Sequence, residues 1–529
     1  MSDELELISE EKEAKADSES TATAVQPQRP TGPVDSEKTK IFREKFDFFG
    51  PVTLLYAIFY AICMYRNPSG VTFPFFVAGS LFYFYCSLTK LGSTCKKGTR
   101  FYAVIMMLLA ISTFLTDDER IIIFNKMGIF LLVVSLLLNS FFDTEKWGLG
   151  KYVSSIFQSV FMCVGMIFRP FEDLFRFTKN KPEKMDKRVV AVGLGLVISL
   201  PLVLLVTALL SSADVFFRQI TDKMVSWIDF TNVFSVSFMI IAMFFAVYCL
   251  TAYLCTGQIN EEVKDNRKGE PLIAVTFTAM LTLIYMLFSG IQFFGLFLRQ
   301  LTLPEGYSYA QYAREGFFQL LAVGFLNLVL VLVCLTFFRE NKALKVILTL
   351  MSLCTLVMNA SSAMRMIMYI EVYFLTFLRI LVLWALLVLT LIFIGVIINI
   401  YKEDFKLFRY SMAVVSLLYV VLAFSRPDYL IAKYDVSRIA SVTTAEQPGQ
   451  FKDFKFLSEL NADAAPVLIP FLKAEGYQVT GKEIYPYDYK RRDRDGFGYY
   501  WLDSMRHKTE DLGIRTFNLS RWYVKKMIK

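Results

Sequence analysis

Apolar residues along this chain come in long unbroken blocks, not in the alternating or amphipathic stripes of a water-facing surface. A helix that crosses a bilayer needs about 20 such residues. About eleven blocks reach or approach that length: Phe48–Tyr65, Val71–Leu88, Phe101–Leu115, Ile121–Phe142, Val189–Leu210, Val233–Leu254, Pro271–Phe297, Phe317–Phe338, Ala343–Ala360, Ile380–Ile400 and Tyr410–Phe424. The stretch before them is acidic at its start and rich in Glu, Lys, Ser, Thr, Ala and Pro. It reads as a disordered cytoplasmic tail over 1–46, not as a signal peptide. Pro427 closes the last block. Beyond it Leu457, Leu460, Ala464 and Leu468 recur at helical spacing. The pattern predicts an all-α polytopic transmembrane helix bundle over 47–425, followed by a small, mainly helical, soluble extracytoplasmic C-terminal domain over 426–529.

Charge between the blocks sets orientation. Lys38, Lys40, Arg43 and Lys45 precede the first block, and Lys90, Lys96, Lys97 and Arg100 follow the second. The loop after the third, Asp117-Asp118-Glu119-Arg120, is mainly acidic. Basic residues return after the fourth, sixth, eighth and tenth blocks, so every second loop is the positive one. This alternation puts the N-terminal tail inside and the C-terminal domain outside. A further apolar stretch, Tyr152–Phe168, lies between basic residues at both ends. It is read as interfacial or re-entrant, because a crossing there would break the alternation.

Composition agrees. The 529 residues are 55% hydrophobic and 20% charged, with mean hydropathy +0.46. The net charge of +8 follows from the basic loops and calls for no nucleic-acid partner. The eight Cys lie at or before Cys354, in or beside apolar blocks and without a CxxC pair, as small hydrophobes. The single His, His507, speaks against a His-ligated metal site. No phosphate-binding, dinucleotide or hydrolase motif is present, so no cofactor is expected. The mixed cluster Lys490–Gly496 reads as a solvated loop.

Ionisable groups at membrane depth are costly, so they are functional candidates by default. Three outer connections carry them: Asp214; the segment with Tyr309, Tyr312, Arg314, Glu315 and Gln319; and an interfacial helix over Ser361–Arg379 with Arg365, Tyr369, Glu371 and Arg379. Together they predict a polar cluster on the outer face. Gln292 and Asn327 are the candidate polar residues inside the membrane. Asn125, Asn139, Asn359 and Asn399 are read as interhelical hydrogen-bonding groups, and Lys126 as a snorkelling cation.

These residues also resemble a known family. Tyr309-Ala310-Gln311-Tyr312-Ala313-Arg314-Glu315-Gly316-Phe317-Phe318-Gln319 is similar to one signature of a bacterial membrane family. Ser362-Ala363-Met364-Arg365, Tyr369-Ile370-Glu371 and Leu375 to Arg379 are similar to a second. Arg426-Pro427-Asp428 through Tyr434-Asp435 is similar to its post-membrane segment. The family is known only as domain of unknown function forty-one seventy-three, related to forty-one fifty-three. The chain departs from it with Met366 for a second Arg, Phe374 for Gly and Phe377 for Glu. The resemblance implies a multi-pass protein of the bacterial cytoplasmic membrane and implies no activity. The lipid bilayer is the expected partner, with an envelope component or protein on the C-terminal domain as a further one. A non-enzymatic sensor, regulator or scaffold is the leading expectation. A small-solute transporter and a membrane-embedded enzyme acting on a lipid-linked or envelope substrate are the alternatives.

Overall fold

The computed structural model describes residues 36–93, 96, 98–145, 147–180, 230–261, 267–294, 316–402, 404–441, 456–476, 479, 496–510 and 512–528, with scattered positions between 195 and 217. Among them the secondary structure is helical, apart from one isolated bridge between Gly269 and Phe338. A short helix, α1 (Glu37–Glu44), lies within the stretch expected to be a tail. The helices that follow are α2 (Phe46–Met64), α3 (Thr72–Lys90), α4 (Thr99–Leu115), α5 (Glu119–Phe141), α6 (Leu149–Met162), α7 (Arg169–Asn180), α8 (Phe230–Cys255), α9 (Pro271–Gln292), α10 (Phe317–Phe337), α11 (Lys342–Tyr373), α12 (Phe377–Tyr401) and α13 (Leu407–Phe424). Past the last apolar block come α14 (Pro427–Ser441), α15 (Ala465–Ala474), α16 (Gly496–Glu510) and α17 (Leu519–Ile528).

Nine of the described helices are long and apolar enough to cross a bilayer, and α4 is an apolar helix just under that length. Large side chains such as Leu55, Phe82, Leu272 and Leu287 stay exposed on these helices, as lipid-facing positions do. The chain is a multi-pass integral membrane protein. The expected block Val189–Leu210 falls mostly outside the described residues.

Helices adjacent in sequence pack as neighbours, α2 on α3, α4 on α5 and α12 on α13, while α8 packs on α2. A second group gathers α9, α10 and α12 around α11. Close contact at the α12–α13 hairpin needs Gly395, where a Cβ would lie 2.4 Å from the Tyr410 ring. Interhelical amide bonding follows expectation at Asn125, whose Nδ2 donates to Thr113 Oγ1 at 3.0 Å and whose Oδ1 accepts from Tyr419 at 2.8 Å.

Polar contacts divide the bundle ends into two sets. At one end Thr39 donates to the Cys255 carbonyl at 2.9 Å, Lys38 to Phe141 at 3.0 Å and Lys96 to Phe142 at 2.8 Å. Lys406 and Arg409 both face Glu145 there, at 3.8 Å. This end gathers the basic loops. The opposite end holds the 65–71 and 116–118 connections, and α14 to α17 pack there, away from α1. In α6 and the turn beyond it, Tyr152 bonds the Ser135 carbonyl at 3.1 Å, and the Met166 carbonyl accepts from Cys249 at 3.3 Å. Ser135 and Cys249 both lie two turns from the basic ends of their helices, so both ends of this stretch sit near the basic end. The chain then bends by 55° into α7.

One expectation is corrected. Ser361–Tyr373 is not a separate interfacial helix; it continues α11, which runs unbroken from Lys342 to Tyr373. No Gly or Pro interrupts that stretch, and Arg365 finds a partner inside the bundle. At about 1.5 Å per residue, the 32 residues of α11 outrun the hydrocarbon layer of about 30 Å.

Candidate functional site

Two polar assemblies stand out. The first lies where α9, α10 and α11 meet. Gln292 ends α9, and its Oε1 accepts from Ser361 Oγ at 2.7 Å and from Arg365 Nη2 at 3.1 Å. All three residues are buried. Gly316, with φ of 111°, begins α10 against Arg365: a Cβ there would lie 3.0 Å from Nη1. Deeper along α11, Asn327 Nδ2 donates to Thr355 Oγ1 at 2.9 Å. One turn away Asn359 faces Gly324. Its carboxamide is buried and meets no hydrogen-bond partner among the described residues. An unmatched amide in such surroundings costs on the order of 1–3 kcal/mol.

The predicted outer residues separate. Arg365 joins Gln292, uniting two groups that the sequence placed in different clusters. Arg379 lies over the Tyr369 ring, 4.4 Å from its centroid, and donates to the Tyr373 and Phe374 carbonyls. Glu371 is exposed, and its carbonyl accepts from Arg438 at 2.6 Å. Gln319 is exposed. Asp214 is exposed and accepts from the Phe217 amide at 2.7 Å. Tyr309, Tyr312, Arg314 and Glu315 lie outside the described residues.

The second assembly was not anticipated. It sits at the end opposite α1, where the turn between α4 and α5 meets the segment after α13. Asp117, Asp118 and Asp428 are each 0% exposed, and Asp463 is 1% exposed. Charged side chains are almost never buried unless paired. Arg120 forks onto Asp118, Nε to Oδ1 at 2.9 Å and Nη2 to Oδ2 at 2.8 Å. The same Nη2 reaches Asp428 Oδ1, while the guanidinium stacks 4.0 Å above the Phe377 ring. Asp428 Oδ2 accepts from the Asn461 backbone at 2.9 Å and side chain at 3.0 Å. Asp117 takes Arg521 Nε at 2.5 Å on one oxygen and Lys508 at 3.7 Å on the other. Asp463 accepts from Thr116 Oγ1 and Ser520 Oγ.

Neutral bonds extend the joint. Asn518 donates to the Thr116 carbonyl at 2.8 Å, Asn67 to the Arg515 carbonyl at 3.0 Å, and Val71 to the Phe517 carbonyl at 2.8 Å. Gly70 allows the approach, since a Cβ there would come 2.4 Å from the Arg515 carbonyl. Burial pushes Asp463 up to about 6, against the hydroxyls of Ser520 and Thr116, which favour its ionised form. Burial, and then Asp118 beside it, raise Asp428 as well, opposed by Arg120 and Asn461.

Four buried carboxylates and three cations therefore rivet the post-membrane segment to the ends of α4 and α5. Each carboxylate is occupied by protein donors. Among the described residues, the assembly ties two parts of the chain together through these contacts. Two weak signals for it exist in the sequence. The acidic 117–119 run stands out from the basic loops, and Asp428 lies in the post-membrane signature. Nothing in the spacing links either of them to Asp463 or Arg521.

No curated protein and no solved structure matches the chain. A family model does match, over residues 103–471. That span takes in Asp117, Asp118, Arg120, Asp428 and Asp463 as well as the Gln292–Arg365 contact, and ends before Lys508, Ser520 and Arg521 supply the remaining partners. With most of its length inside the match, this integral membrane protein belongs to the DUF4153 family, which is defined by a domain of unknown function.

Proposed function

We propose that the chain is a non-enzymatic sensor, regulator or scaffold of a bacterial cytoplasmic membrane that acts through its post-membrane segment. On this reading the segment lies on the extracytoplasmic side, because the basic loops gather at the other end of the bundle. The stretch Tyr152–Phe168 stays on the cytoplasmic face without crossing, which keeps that parity. The observation that carries the reading is the buried joint of Asp117, Asp118, Asp428 and Asp463 with Arg120, Lys508 and Arg521. Such a joint couples an extramembrane unit rigidly to span ends, as relaying a state across the membrane surface requires. The enzyme reading needs a pair of carboxylates facing a groove. The paired acids here are tied to cations in the interior, which favours a structural role for them.

The transporter reading keeps one observation of its own. Asn359 holds a carboxamide that is unmatched among the described residues, near the Gln292–Ser361–Arg365 cluster. Complementation of a deletion strain separates the two readings. The regulator reading expects Arg120→Ala and Asp428→Ala to abolish complementation at normal membrane abundance, while Asn327→Leu and Asn359→Leu retain it. The reverse pattern, with loss confined to the two Asn variants, would overturn the regulator reading in favour of transport.

A further inference from the structure

Asp463 differs from the other three acids of the joint in having no cation bonded to it among the described residues. Its two oxygens meet the hydroxyls of Thr116, from the α4–α5 turn, and Ser520, from α17. The charged groups around it come from the α4–α5 turn, α14 and its approach, α16 and α17. Asp117 lies on the same turn as Thr116 and holds Arg521 of α17 and Lys508 of α16. Lys508 is shared with Glu119, 3.6 Å away. Arg426 precedes α14 and acts on Asp463. Asp428 follows it on α14 and is held with Asp118 by Arg120. Closing the joint thus gathers the carboxylates of Asp117, Asp118, Asp428 and Asp463 in one buried place, against Arg120, Lys508 and Arg521 bonded within it. Hydroxyls are weaker partners for a buried carboxylate than a guanidinium is. Asp463 is therefore the member whose charge is least compensated.

We propose that Asp463 is a proton-binding site that couples docking of the post-membrane segment to pH on that face of the membrane, tightening the joint on acidification. The inference rests on the regulator reading and specifies its signal. The sign follows from linkage. Burial raises Asp463 in the docked state, to about 6, whereas an undocked, solvated Asp keeps its ordinary value near 3.8. Between these values the docked form binds more protons than the undocked form. Docking is therefore strengthened as pH falls from 6 toward 3.8, and that gain is lost once pH has risen through 6. Asp428 shifts in the same direction and adds to the effect. The span between the two values corresponds to a change of about 100-fold in the docking equilibrium. The proton enters as the ligand, and no bond other than the carboxyl O–H is made or broken.

The test uses the full chain in nanodiscs, with its eight cysteines replaced and nitroxide labels at two exposed positions, Phe82 on α3 and Tyr500 on α16. Electron–electron distance measurements from pH 4.5 to 8 report the docked fraction. The expected result is a docked fraction that rises as pH is lowered from 6 to 4.5 and is level above 6. Asp463→Asn, neutral at every pH, is expected to keep the docked distance and flatten the profile. Thr116→Val removes a donor that favours the ionised carboxylate and is expected to lower the docked fraction more above pH 6 than at pH 4.5, steepening the profile. A flat wild-type profile overturns the proposal. So does an Asp463→Asn profile that follows the wild type. Should Asp463→Asn not dock at all, Thr116→Val decides, and a profile no steeper than the wild type's overturns the proposal. If the wild type docks equally at every pH and Arg120→Ala alone releases it, the proton site falls and the regulator reading stands. A wild type without the docked distance at any pH overturns both.

Discussion

Phe374 carries φ of 67° and ψ of −178°, a region that favours glycine. The chain has three residues, Phe374 to Thr376, in which to leave α11 and enter α12, and a left-handed step makes so short a reversal feasible. The related family signature places Gly at this position. The residue is half-buried, so removing its ring and relaxing its backbone have opposite effects. The cleaner comparison is between two variants that both lack the ring. Phe374→Gly is expected to be more stable than Phe374→Ala by about 1 kcal/mol, read as the difference in thermal or denaturant midpoint in the same lipid. Equal midpoints would mean that the backbone there carries no strain. The residue was legible as a departure from the signature, but its conformation was not, because a single phenylalanine says nothing of its own φ. The acidic run shows the same limit. Asp117 and Asp118 read as part of a mainly acidic outer loop, and both are fully buried. Burial is a property of what packs over a residue, and the covering residues lie hundreds of positions away.

At the scale of elements, the apolar blocks that fall within the described residues form helices, in which a segment at membrane depth satisfies its own backbone bonds. The boundary that failed was the end of the ninth block. Polar residues from Ser361 onward suggested a new interfacial helix, yet α11 simply continues. Helix propagation needs no apolar residue, and Gln292 on α9 meets both Ser361 and Arg365. The α4–α5 turn depends on its partners in the same way. Arg120 serves Asp118 on its own turn and Asp428 on α14. Removing one partner of a buried pair strands the other charge, at a cost of about 3–5 kcal/mol. Arg120 is 37% exposed in its side chain, so the lower end of that range applies. Asp428→Ala and Arg120→Ala are each expected to destabilise the joint by about 3 kcal/mol, and the double variant by clearly less than the sum. Additive losses in denaturant unfolding would mean that the two groups do not act as a pair.

For the molecule as a whole, sidedness is the consequence with the widest reach. The positive loops and α1 share one end, and α14 to α17 share the other. In intact cells a membrane-impermeant thiol reagent is expected to modify a cysteine placed at the 94%-exposed Ile514. The same reagent is expected to reach one placed at Lys268 only after the membrane is opened. Labelling in the opposite order would place the post-membrane segment in the cytoplasm. The helical class, the approximate run of spans and their alternating polarity were all readable along the chain. Each of these is written locally, in unbroken apolar stretches and in the charges that flank them. Only the tertiary structure decided which polar groups meet. Arg120 reaches Asp428 across 308 residues, Arg521 reaches Asp117 across 404, and Thr116 reaches Asp463 across 347. Electrostatic pairing in a buried site depends on distance in space and on exclusion of water, and neither is encoded in the spacing of residues along the chain.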